Sequence, residues 1–134
     1  MDRLTELIAN HELLRLKGYR DAVGKWTVGW GHNIEDRPIS RRAADIILED
    51  DIDGTKAELL VYLPWYAGLD EVRRAVIVDM AFNMGVGGLM SFKKALTALR
   101  AHQYNTAAEE MLDSKWSQQV GARAQRLALV MRQG

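Results

Sequence analysis

The stretch from Leu14 to His32 reads against a helix, while the chain on both sides of it reads as helical. Tyr19-Arg20-Asp21 and Trp26-Thr27-Val28 are β-friendly, and Ala22-Val23-Gly24-Lys25 between them has the length of a hairpin connection. Gly24, Gly29 and Gly31 punctuate the same stretch, where the backbone can turn tightly or meet a ligand closely. Before it, Leu4, Leu7, Ile8 and His11 recur at helical spacing and predict a first helix over about residues 2–11. After it, Ala44, Ile47, Leu48 and Ile52 do the same. One small β element within a mostly helical chain restricts the fold to the α+β class.

The loop after the hairpin runs from Asn33 to Ile39, with Asp36-Arg37-Pro38 as its turn. Ser40 is the expected N-cap of a long helix reaching Tyr62, ahead of Pro64, with Gly54 as a possible bend. Asp70 is expected to cap an apolar helix from Glu71 to Met84, ended by Gly85, with Gly85-Val86-Gly87-Gly88 as a turn. Ser91 is expected to cap a helix reaching Ala101, and Asn105 one reaching Asp113. A turn is expected around Trp116, followed by a last helix over 122–131. Met80, Phe82, Met84, Met90 and Phe92 read as core or cleft lining, with core the stronger reading for most. There is no internal repeat, low-complexity tract or second-domain linker.

At 134 residues and 48% hydrophobic, the chain fits one domain with a real core. The absence of cysteine excludes disulfides and thiolate metal sites and suits a reducing cytoplasm. No apolar run approaches the length of a membrane span, and the N-terminus lacks an export pattern, so membrane insertion is not expected. Net charge is zero, but residues 1–67 carry −3 and residues 68–134 carry +3. An anionic polymer would meet a mildly basic second half; the plain alternative is uneven but fully solvated surface charge. The neutral total, with no dense basic stripe, argues against nucleic acid as a partner.

Glu12 follows the first helix and Asp21 stands at the mouth of the hairpin. Two carboxylates on different local elements, flanking a possible cleft, are what acid/base cleavage of a glycosidic bond requires. With Tyr19, Gly24, Thr27 and Gly29-Trp30-Gly31-His32, the pair resembles the pattern of the phage-type lysozymes, muramidases encoded by many bacteriophages. The spacing Glu, eight residues, Asp, five residues, Thr is unchanged, with Gly-x-Gly-His close behind. One departure is Leu13, where that family usually has glycine directly after the glutamate. The resemblance continues through Val72-Arg73-Arg74-Ala75, Phe82-Asn83-Met84-Gly85, Ser114-Lys115-Trp116 and Arg123-Ala124-Gln125-Arg126, and so covers nearly the whole chain.

That resemblance implies a lysozyme-like architecture. A small N-terminal β-hairpin lobe (about 13–39) would be joined by a connecting helix (about 40–62) to a helical lobe (about 63–134 plus 1–12), with the active-site cleft between. It implies hydrolysis of the β-1,4 bond between N-acetylmuramic acid and N-acetylglucosamine in peptidoglycan. Glu12 would be the general acid, with Asp21 and Thr27 holding the attacking water, and inversion is expected. It further suggests Asn33, Phe82 and Asn83 as sugar contacts, for which the plain alternatives are core packing for Phe82 and capping or solvation for the asparagines. His32 paired with Asp51, and Arg123 within ion-pair reach of Glu12, are the expected supports. For Asp51 and Arg123 the plain alternative is a solvated side chain. No metal or cofactor is implied. A monomer is expected, made in a host cytoplasm and reaching the wall through a separate holin.

Three other readings stand beside this one. His11, Glu12 and His32 could bind a metal, but their spacing lacks a zinc-site signature. A lytic transglycosylase would keep the acid and dispense with the water-positioning pair. A non-catalytic wall-binding domain would tolerate loss of either carboxylate.

Overall fold

A computed structural model describes residues 1–134. Its order is α1 (Arg3–Glu12), β1 (Arg15–Arg20), β2 (Trp26–Gly29), β3 (His32–Asn33), α2 (Arg41–Tyr62), a 3-10 turn (Pro64–Gly68), α3 (Glu71–Met90), α4 (Lys93–Arg100), α5 (Tyr104–Leu112), α6 (Lys115–Val120) and α7 (Ala122–Gln133). The fold is mostly helical α+β, with an N-terminal antiparallel sheet and a helical remainder, as the sequence led one to expect. The chain divides into two compact units, Met1–Ile46 and Ile47–Gly134, and the boundary falls inside α2. Residues 1–12 belong to the first unit, with the strands. No single helix is long and apolar enough to cross a membrane.

In the first unit, Asp2 caps α1 by accepting a 2.8 Å bond from Thr5 N–H. Strands β1 and β2 pair antiparallel through Tyr19 opposite Thr27 and Arg20 opposite Trp26, with an irregularity between Arg15 and Tyr19. Asn33, expected to open a loop, instead forms a third strand with His32, with Thr27 opposite Asn33 and Val28 opposite His32. Tyr19, Thr27 and Asn33 therefore lie in one row across the sheet. On the alternate face the Arg20 guanidinium stacks 4.5 Å from the Trp26 ring centroid. Thr27 is the buried residue of this unit.

The second unit holds the hydrophobic core: Leu59, Ile77, Met80, Leu89, Leu99 and Met111 are among its fully enclosed side chains. Helix α2 begins where expected, with Ser40 Oγ accepting from Ala43 N–H at 3.1 Å, and it runs through Gly54 without a break. Asp70 caps α3, and Gly85 ends its first helical run, as expected. Gly85 leaves helical geometry altogether (φ 80°, ψ 156°), and in place of the turn expected over 85–88 a second short helical segment follows it to Met90, burying Val86 and Leu89. Ser91 was expected to open the next helix; its hydroxyl instead donates to Gly88 O at 2.6 Å, closing α3, and Phe92 stands at the start of α4. The turn expected around Trp116 is helix α6, capped by Ser114, with Trp116 itself in the core.

Arg73 ties this unit together. It is 8% exposed, donates from Nε to Met131 O (2.7 Å) and from Nη2 to Arg132 O (3.1 Å), and pairs with Asp70 at 3.1 Å. Its guanidinium lies 3.4 Å from the Tyr104 ring centroid. One side chain thus joins the start of α3 to the last carbonyls of α7, which have no partner of their own within the helix.

Candidate active site

Glu12 is the last residue of α1, and only Leu13 and Leu14 separate it from β1. Its carboxylate rests on Gly31 in the turn between β2 and β3. Gly31 has a φ of 71°, and a Cβ built there would collide with the Glu12 carboxyl group. Gly31 is therefore required twice, by backbone geometry and by the side chain lying against it.

Asp21 closes the hairpin. Its Oδ1 accepts from Val23 N–H (3.0 Å) and Lys25 N–H (2.8 Å), and its own N–H donates to Lys25 O. Both bonds fall on one oxygen, leaving Oδ2 for another donor. Thr27 Oγ1 donates to Lys25 O at 2.9 Å and keeps its lone pairs for accepting. Lys25 faces Asp21 across the hairpin, so Thr27 is the diagonal cross-strand neighbour of Asp21 on the same face. Glu12, Asp21 and Thr27 all belong to the first unit.

Asn33, read as a sugar contact, shapes the turn that follows it. Its Oδ1 accepts from the N–H groups of Glu35 and Asp36, and its Nδ2 donates to Asp36 Oδ2 at 3.0 Å. His32 stands opposite Val28, and its Nε2 is buried with no hydrogen-bond partner. Asp51 lies in the second unit, on α2 beside Glu49, Asp50 and Asp53. No cluster of three or more His, Cys, Asp or Glu side chains is placed to hold a metal ion.

The remaining expected residues lie in the second unit. Phe82 is 41% exposed and lines an open cavity of about 840 Å³ with Tyr66, Val78, Asp79 and Arg123. Asn83 is used structurally: its Oδ1 accepts from Trp116 Nε1 at 2.8 Å, and Trp116 meets Phe92 edge-on at 5.9 Å. Arg123 is engaged by Asp79, a residue the sequence reading did not single out, through Nε (2.9 Å) and Nη2 (2.6 Å) to Oδ1. The two side chains are 35% and 39% exposed, so solvent screens the pair and its coupling should be about 1 kcal/mol or less. A double-mutant cycle of Arg123→Ala and Asp79→Ala on thermal unfolding is expected to show that coupling, with melting restored most nearly by Arg123→Lys.

Comparison with known proteins places this geometry in context. The phage lysozyme family model matches residues 9–133. Over 98% of the chain, the sequence is 28% identical to the pre-baseplate central spike protein Gp5 of Enterobacteria phage T4, of which it spans 28% of the length. It is 27% identical to the probable T4-type lysozyme 1 of Dictyostelium discoideum, with 98% of the chain and 94% of that protein aligned. It is 32% identical, over 83% of the chain and 75% of the relative, to the endolysin of Acyrthosiphon pisum secondary endosymbiont phage 1. The first two alignments run to 159 and 161 positions against a chain of 134, so those relatives carry residues without a counterpart here. The match includes the α1 terminus, the hairpin and every helix after it, and the chain belongs to the phage lysozyme family.

Proposed function

We propose that this protein is a peptidoglycan hydrolase that cleaves the β-1,4 bond between N-acetylmuramic acid and N-acetylglucosamine, with inversion at the anomeric carbon. The observation that carries the reading is the seating of Glu12 on Gly31, beside a hairpin whose one face presents Asp21 and Thr27. Glu12 protonates the leaving oxygen. A water held between Asp21 Oδ2 and Thr27 Oγ1 attacks the opposite face of the sugar, and its proton passes to Asp21. The leaving sugar keeps the proton from Glu12, so charge and atoms balance. In the cell the reading is of a phage or prophage endolysin, monomeric, made in the host cytoplasm and admitted to the wall by a separate holin.

Product analysis tests the chemistry. Digestion of purified peptidoglycan should yield muropeptides with free reducing ends by mass spectrometry. Proton NMR of fresh product should show the α anomer first. Anhydro ends would instead mark a lytic transglycosylase, and a first-formed β anomer would mark retention. No soluble product from an intact wall suspension would leave a non-catalytic wall-binding domain.

A further inference from the structure

Leu13 is the residue that carries the chain from Glu12 into the sheet, and its backbone is strained. Its φ of 48° and ψ of 129° lie where a Cβ crowds the backbone and glycine is favoured. The conformation sits where the chain has least room to adjust: α1 ends at Glu12 and β1 starts at Arg15, leaving two residues between helix and strand. Helix ends usually meet this demand with glycine. Here the Leu13 side chain is 65% exposed, so little burial offsets the strain. The carboxylate next to it sits on Gly31, with no space for a further atom between them. Return of Leu13 to negative φ would rotate the junction and lift Glu12 from that seat.

We propose that Leu13 is a positioning residue that acts through Glu12: its strain opposes the seated conformer, so the acid is seated in only a fraction of molecules. The inference rests on Glu12 being the general acid. A strained state that must be populated before reaction lowers the turnover number by its unpopulated fraction, while leaving substrate affinity alone when the residue serves the chemical step. Glycine at position 13 removes the opposition. Alanine keeps the Cβ and does not.

The test compares the wild type with Leu13→Gly and Leu13→Ala by melting temperature, by kcat and KM on purified peptidoglycan, and by the ¹³C resonance of the Glu12 carboxyl group. Leu13→Gly is expected to raise the melting temperature by about 2–4 °C, where glycine at an unstrained site would lower it. It should raise kcat about 2- to 5-fold at unchanged KM, and move the Glu12 resonance toward a single environment. Leu13→Ala should match the wild type in all three. A lower melting temperature for Leu13→Gly overturns the strain. A higher one, with kcat and the resonance both unmoved, overturns the positioning role. If the wild type itself releases no product, the muramidase reading fails instead, and melting and resonance still decide what Leu13 does to its neighbour.

Discussion

Glu12→Gln is expected to lower peptidoglycan clearing by two to four orders of magnitude, about the contribution of a positioned general acid, with the fold intact. Glutamine has nearly the shape of glutamate, so the side chain can still lie against Gly31. What it lacks is the proton for the leaving oxygen. Turbidity loss of a wall suspension measures the first effect, and an unchanged circular dichroism spectrum and melting temperature establish the second. Clearing at near wild-type rate would remove Glu12 from the acid role. A large fall in melting temperature would show that the substitution had disturbed the α1–sheet junction instead.

Arg73→Leu is expected to produce the largest loss of stability, about 3 kcal/mol, or roughly a 10 °C lower melting temperature. The Asp70 pair does not dominate this figure, because the Asp70 side chain is 42% exposed and its charge is solvated without Arg73. The main cost lies at Met131 and Arg132, whose carbonyls lose the donors that end α7. Loss of the stacked Tyr104 contact adds to it. Tyr104→Leu should therefore cost less than Arg73→Leu, and Arg73→Lys should recover only part, since a single ammonium cannot serve two carbonyls and a carboxylate together. Calorimetry of the three variants checks the order, and equal losses for Tyr104→Leu and Arg73→Leu would give the weight to stacking.

The same latch has a pH dependence of known sign. Partial burial raises the Asp70 pKa, but hydrogen bonds from Arg73 N–H and its guanidinium, with the nearby positive charge, outweigh burial and leave it below the usual carboxylate value. A depressed folded pKa contributes stability above the unfolded pKa and loses it as pH falls through the folded one. The advantage of wild type over Asp70→Asn should accordingly shrink on acidification.

Much of this was legible in the chain because it depends on neighbours in sequence. Apolar spacing gave α1 to within one residue at either end, α2 from Ser40 to Tyr62, and α7, and the break in that spacing gave the hairpin. The same local logic set Glu12 at the end of a helix and Asp21 in a turn. What the tertiary structure decided involves partners far along the chain or segments too short to show a period. His32–Asn33 is a strand because β2 offers it an edge; two residues have no alternation to read. Gly85 ends the first run of α3 as read, but the residues after it form a short helical segment and not a turn because Val86 and Leu89 reach the core. Within the second unit, Asn83 accepts from Trp116 and Arg123 pairs with Asp79, partners 33 and 44 positions away that the sequence did not point to. Side chains whose partners lie far along the chain carry no periodic signature, because those partners are chosen by how the helices pack.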